Sequence, residues 1–265
     1  MRLALAQLDV EPTDVTENVD RAVAAVDRAS DRGADLVVLP ELFTVGYFAF
    51  DSYARSAESL DGPTLTRLAE AARDHEVGIV AGSIVEDLAT TDGGPAEEGL
   101  ANTSVFLDRA GDRRAVYRKR HLFGYDSAES DLLVAGESLP TVDFDGFTVA
   151  TTTCYDLRFP ELYRRLVDDG TTLVCVPSAW PYPRVEHWRL LPRVRAVENL
   201  LYVGAANGVG TFEDASLCGR STVYDPWGTT LASSDDDPTL VVTDCDPAEI
   251  ARVREEFPAL RDREL

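Results

Sequence analysis

The chain alternates short, mostly apolar runs with longer stretches whose apolar residues recur at intervals of three and four. "RLALAQL" (2–8) and "ADLVVLP" (34–40) are runs of strand length. Between them, "VTENVDRAVAAVDRASDRG" (15–33) puts Val15, Val19, Ala22 and Val26 on one helical face and offers Gly33 as a stop. Strand, helix, strand in this order predicts a βαβ unit with two buried parallel strands. "GPTLTRLAEAARDHEVG" (62–78) predicts a helix entered near Pro63, and "VGIVAGSIVE" (77–86) a strand. "DLATTDGGPAEEG" (87–99), rich in turn formers and acid, reads as an exposed loop, and "NTSVFLD" and "RAVYRKR" as a hairpin around "RAGD". The plan then repeats. "FTVATTT" (147–153) is a strand, "FPELYRRLVDDG" (159–170) a helix and "TLVCVPSA" (172–179) a strand. "VEHWRLLPRVRAVENL" (185–200) reads as a helix interrupted at Pro192, followed by the strand "LYVGAANGVG" (201–210). A hairpin turning at "DPWG" within 221–233, a last strand "TLVVTDCD" (239–246) and a helix "PAEIARVREEF" (247–257) complete the chain. No linker divides it, so a single domain over residues 1–265 is expected. Two similar halves predict an α/β fold: two mostly parallel or mixed sheets face to face with helices outside, a four-layer αββα sandwich.

Charge narrows the function classes. The formal net charge is −22, with no basic stripe to neutralise phosphates, which argues against nucleic acid and against an anionic membrane surface. Lys and Arg total 25, yet Lys119 is the only lysine. Acidic surface with almost no lysine suggests a very salty cytoplasm, where screening at ~1 M salt acts within about 3 Å; a GC-rich genome is the other source of an arginine bias. Neither explains why position 119 keeps its lysine. No leader segment and no membrane-spanning run are read from the sequence, and Cys154, Cys175, Cys218 and Cys245 show neither CxxC spacing nor a metal pattern with His75, His121 and His187. A reduced, cytoplasmic protein without cofactor or metal is the expectation.

Three reactive residues fall at one kind of place. Glu41 follows the strand "LVVLP", Lys119 ends "RAVYR", and Cys154 follows "FTVATTT" and precedes a helix. Open α/β sheets carry their sites at such C-terminal strand ends. A thiol is mostly protonated near neutral pH and needs a base or a cation to react. Glu41 is suited to take that proton, and Lys119 to stabilise thiolate and oxyanion. Lysine brings a compact ammonium where arginine brings a broad planar fork. Backbone N–H groups after Cys154 are placed to face an oxyanion. Cys175 and Cys245 read as small buried apolar residues, and His121 and His187 as structural, with a Cys–His hydrolase through His187 as an alternative.

"LPELFTVGY", "YRKRHLF" and "CYDLRFPEL", in this order and spacing, resemble the three signature blocks of the nitrilase superfamily of carbon–nitrogen hydrolases. The resemblance runs over nearly the whole chain, including "SAW", "HWRLLPRVRAVENLLYV" and "GRSTVYDPWG". It implies an αββα fold with a Glu–Lys–Cys triad: Glu41 as base, Lys119 as cation, Cys154 as nucleophile. A second family glutamate lies between the Lys and Cys blocks, matched by Glu129 in "SAES" or, second, by Glu137 in "AGES". The Tyr155 N–H is expected at the oxyanion, and Tyr47, Arg158, Ala179 and Trp180 near the substrate, although Arg158 has Asp156 or Glu161 as possible ion partners. Tyr155 after the cysteine resembles the amidase branch, including omega-amidases, more than the true nitrilases. The implied reaction is hydrolysis of a small amide to ammonia and a carboxylic acid through a thioester. Nitrile or N-carbamoyl amide hydrolysis is the enzymatic alternative, and a catalytically silent binding protein on the same fold the alternative of another class. The resemblance also implies a homodimer or higher homo-oligomer.

Overall fold

The computed structural model describes every residue except Asp126, Asp214 and Leu265. The first half contains β1 (Arg2–Gln7), α1 (Val15–Asp31), β2 (Leu36–Val38), α2 (Tyr53–Ser56), α3 (Pro63–His75), β3 (Gly78–Val80), β4 (Ile84–Asp87), β5 (Leu100–Leu107), β6 (Arg113–Arg118) and α4 (Glu129–Leu132). The second contains β7 (Thr141–Phe144), β8 (Phe147–Thr151), a 3₁₀ turn over Cys154–Arg158, α5 (Pro160–Asp168), β9 (Leu173–Ser178), α6 (Val185–Asn199) and β10 (Tyr202–Asn207). It continues with β11 (Val209–Phe212), β12 (Ala215–Cys218), β13 (Thr222–Tyr224), β14 (Thr230–Ser233), β15 (Thr239–Asp244) and α7 (Pro247–Glu256).

One sheet runs β15-β1-β2-β3-β5-β4, with β6 also on β5; the other runs β14-β13-β10-β9-β8-β7. The centres are parallel, β1-β2-β3 and β8-β9-β10, and the flanks antiparallel. Alternation along the strands builds four layers. Leu3, Leu5, Leu36 and Val38 of the first sheet meet Phe147, Val149, Leu173 and Cys175 of the second. Ala4, Ala6 and Val37 turn outward to Val19, Ala22 and Val26 of α1 and Leu68 of α3. On the far side Val174 and Val176 meet Leu162 and Leu166 of α5 and Trp188 and Ala196 of α6. Gly204 lets the sheets approach: a Cβ there would lie 2.8 Å from Leu3 Cδ2.

Two expectations are corrected. Residues 77–86 are not one strand. The chain breaks at Gly82, whose φ of +48° and position against the Pro40 carbonyl, 2.1 Å from where a Cβ would stand, admit only glycine. Nor does Pro192 interrupt its helix. α6 runs unbroken from Val185 to Asn199 with Pro192 inside it, because Trp188, Pro192, Arg195 and Ala196 are buried together on its sheet-facing side and tertiary packing outweighs one missing N–H. The last strand, β15, returns to the first sheet and pairs antiparallel with β1 along its length, from Arg2↔Asp244 to Gln7↔Thr239. Among the described residues no helix is long and apolar enough to cross a membrane.

Candidate active site

The ends of β2, β6, β8 and β9 meet at one edge of the sandwich. Glu41 follows β2 on a turn pinned by the Leu42 N–H donating to Ser83 Oγ (2.8 Å) and the Glu41 N–H donating to the Ser178 carbonyl (3.3 Å). Lys119 directly follows β6, and its N–H donates to the Asn102 carbonyl (2.8 Å) in β5. Cys154 opens the 3₁₀ turn after β8 with φ of +45°, a left-handed conformation that costs a non-glycine residue roughly 1–2 kcal/mol. That turn is tied down on both sides. Asp156 Oδ2 accepts the Thr153 N–H (2.9 Å), and the Leu157 carbonyl accepts Nε and Nη2 of Arg195 in α6 (3.0 and 2.9 Å).

Lys119 Nζ donates to Glu41 Oε1 (2.9 Å) and to Glu129 Oε1 and Oε2 (2.8 and 2.9 Å), and all three side chains are fully buried. Asn102 Nδ2 donates to the same Oε1 atoms, of Glu41 at 2.9 Å and of Glu129 at 3.2 Å. Glu129 Oε2 also accepts the Tyr47 hydroxyl (3.0 Å) and the Phe123 N–H (2.7 Å). The Ala179 N–H donates to Glu41 Oε2 (2.9 Å). A carboxylate has about four acceptor positions; three of Glu41's are taken, two on Oε1 and one on Oε2, which leaves one position on Oε2. Glu137, the second match for the family's other glutamate, is exposed and offers only its backbone carbonyl, to Arg120 (2.6 Å).

Burial sets the electrostatics. Desolvation raises the Glu41 carboxyl above its ordinary value, with the Lys119 ammonium opposing and the Glu129 charge adding. Burial also works against the Lys119 charge, but Glu129 and Glu41 overcome it and hold the ammonium well above the usual lysine range. Burial, and then the Glu41 charge, push the Cys154 thiol well up, with Lys119 opposing. Burial thus favours the neutral thiol at Cys154 and works against ionisation of Glu41, which the Lys119 ammonium supports. Cys175, Cys218 and Cys245 are buried free thiols; chiefly through burial, Cys218 is lifted to about 11 and Cys245 to about 12.

Cys154 and Lys119 open onto a cleft of about 840 Å³ lined by Tyr47, Phe123, Tyr155, Trp180 and Phe212. Arg158 is half-buried in its wall, with the guanidinium 5.1 Å from the Trp180 ring and 5.7 Å from that of Tyr155. Its Nη2 meets His187 Nδ1 at 3.2 Å, and among the described residues no carboxylate pairs with it, so neither Asp156 nor Glu161 is its partner. Arg55 and Arg184 also line the cleft. Ala179 takes part through its backbone, and Tyr47 through both its place in the cleft and its bond to Glu129. His187 is exposed against Arg158 and is not among the residues lining the cleft.

Sequence reasoning passed over two residues. Asn102 is one; its signal was a polar side chain inside the apolar strand run "LANTSVFL". The other is Asp156, considered only as an ion partner for Arg158. It is fully buried and gathers four donors: Tyr117 Oη (2.5 Å) and the Thr153 N–H on Oδ2, and the His121 N–H (3.1 Å) and ring Nδ1 (2.7 Å) on Oδ1. Tyr117 and His121 flank Lys119, and Thr153 precedes Cys154, so one carboxylate joins both segments.

The carbon-nitrogen hydrolase family matches residues 2–255. The chain belongs to that family. This carbon-nitrogen hydrolase is 37% identical over 266 residues to a 2-oxoglutaramate amidase of Paenarthrobacter nicotinovorans, covering 98% of this chain and 88% of that one. It is 34% identical over 272 residues to an omega-amidase of Homo sapiens, covering 99% and 94%. The hydrolase also superposes, with a TM-score of 0.82 and 31% identity over 98% of this chain and 99% of the other, on a structure of a mutant of the amidase from Nesterenkonia sp. AN1 that carries an acrylamide adduct on its active-site cysteine.

Proposed function

We propose that this hydrolase cleaves the terminal amide of a small carboxylate-bearing substrate, in the manner of an omega-amidase. The observation that carries the reading is a buried thiol, Cys154, on which the charges of Glu41 and of the Lys119 ammonium bonded to it both act, in a cleft whose wall holds the carboxylate-free guanidinium of Arg158. The relatedness to a 2-oxoglutaramate amidase and an omega-amidase supports it.

Glu41 takes the thiol proton as sulfur attacks the carbonyl carbon. The negative charge moves to the carbonyl oxygen, where the Lys119 ammonium and the Tyr155 N–H stabilise it. One Lys119 N–H shared between the two oxygens of Glu129 frees another for this task. Glu41 returns its proton to nitrogen, ammonia leaves, and a thioester remains on Cys154. Glu41 then deprotonates water, which attacks the thioester; the sulfur leaves, regains a proton and releases a carboxylic acid. Glu129 touches neither sulfur nor substrate and acts by holding Lys119. The substrate carboxylate sits at Arg158, desolvated by the rings of Trp180 and Tyr155, where a fixed cation offsets an otherwise repellent acidic protein.

An ammonia-release screen over ω-amides of dicarboxylates, neutral amides, nitriles and N-carbamoyl compounds tests this. Turnover is expected for carboxylate-bearing amides, absent in Cys154→Ala at unchanged melting temperature, and weakened for acidic but not neutral amides in Arg158→Gln. Ammonia release by folded Cys154→Ala would remove the nucleophile. Release only from nitriles or carbamoyl compounds would reassign the substrate, and no release with slow thiol labelling would favour a silent binding protein.

A further inference from the structure

Two buried carboxylates share one ammonium in this site, and that leaves an electrostatic problem. Glu41 and Glu129 both point an Oε1 atom at Lys119 Nζ, and both of those oxygens also receive Asn102 Nδ2. The four groups form a closed ring of hydrogen bonds: carboxylate, ammonium, carboxylate, amide. Charges sharing a dry site favour proton uptake by one of them, and a proton on Glu41 would leave the thiol without a base. Asn102 meets this without adding charge. Each of its two amide hydrogens stabilises one ionised carboxylate. By filling the last position on Glu41 Oε1 it also leaves the open lone pair on Oε2, the oxygen that accepts the Ala179 N–H. The placement follows from strand register. Thr103 of β5 lies opposite Arg118 of β6, so Asn102 and Lys119 are next neighbours at the end of the hairpin. Asn102 is almost fully buried, and its Oδ1 has no hydrogen-bond partner among the described residues. The side chain is thus used for its donors alone.

We propose that Asn102 is a positioning residue that keeps Glu41 ionised and its Oε2 turned toward Cys154. This rests on the reading of Glu41 as the base. The groups acting on Glu41 are Lys119 after β6, Glu129 in α4 and Cys154 after β8, with the Tyr47 hydroxyl donating to Glu129 and that of Tyr53, in α2, to the Tyr47 carbonyl. Removing the two amide donors shifts the balance among these toward a protonated Glu41.

The test compares wild type with Asn102→Ala and Asn102→Ser, the latter smaller but still a donor. Two profiles are measured against pH: kcat/KM for ammonia release, and iodoacetamide alkylation of Cys154, read on its own peptide by mass spectrometry. In Asn102→Ala the acidic limb of both profiles is expected to move to higher pH by about one unit or more, since charge-assisted hydrogen bonds are lost. The kcat should fall about tenfold or more with KM within about twofold, as when a geometry rather than a binding contact is lost. Asn102→Ser should fall between. Limbs that stay in place or move down in either variant, even with lower kcat or melting temperature, would reduce Asn102 to a spacer and overturn the proposal. The alkylation profile needs no substrate, so it reads Asn102 independently of whether the substrate assignment holds; a failure of the nucleophile reading appears instead as turnover by Cys154→Ala.

Discussion

At the scale of single residues, Lys119 explains its own uniqueness. Its Nζ fits between two carboxylates at 2.8–2.9 Å in a site with no exposure. A guanidinium is wider and favours a bidentate grip on one carboxylate. Lys119→Arg is therefore expected to lose about 10²–10³ in kcat, as when an oxyanion donor is removed, nearly as much as Lys119→Ala. Retention of turnover within a few fold would mean that charge alone suffices. The raised Glu41 carboxyl fixes the sign of the pH response. A base with a raised value stays protonated to higher pH, so the acidic limb of kcat/KM should lie above the ordinary glutamate range; a limb at or below that range would contradict the base assignment. For Asp156→Asn, one end of the amide is a donor set against donors, and we expect a loss of about 1–3 kcal/mol in stability, with kcat falling at near-constant KM as Cys154 and Lys119 drift apart. Fluorescence-monitored urea unfolding and steady-state kinetics measure the two. Glu41, Lys119 and Cys154 were legible in the sequence because each falls at the end of a predicted strand, and Lys119 because it is the only lysine. Asn102 and Asp156 were not, because their partners are set by register across β5–β6 and by a 3₁₀ turn, neither of which hydrophobic periodicity encodes.

At the scale of elements, alternation served well where strands were long and flanked by turns, and failed where the backbone departs from its period. The run 77–86 keeps its apolar character through Gly82, although the chain there turns from a strand parallel to β2 into one antiparallel to β5. Pro192 sent the opposite false signal. The αββα layering was legible from two βαβ patterns, but the closeness of the layers depends on Gly204 against Leu3, which only packing reveals. Gly204→Val is expected to wedge the sheets apart and destabilise by about 1–3 kcal/mol. Because Gly204 sits between the sheets and Cys154 beyond their edge, KM should stay within about twofold in the folded fraction. A melting temperature equal to wild type would show that Leu3 can yield.

At the scale of the whole molecule, a net charge of −22 acts against compactness when salt is dilute. We expect the melting temperature to fall on dialysis from molar salt to ~10 mM, as the screening length grows from about 3 Å to about 30 Å; a flat response would remove any need for a salty environment. The pairing of β15 with β1 reaches further. It joins the beginning of the chain to a segment more than 230 residues later, so during synthesis β1 waits at an open sheet edge while everything between is made. Contacts of such separation form late and slowly. Until β15 arrives, the row of free N–H and C=O groups along β1 is a template for another molecule's strand. The nascent protein is thus prone to aggregate until β15 is made, and a chain stopped after Asp237 should collect in the insoluble fraction while one that includes β15 does not.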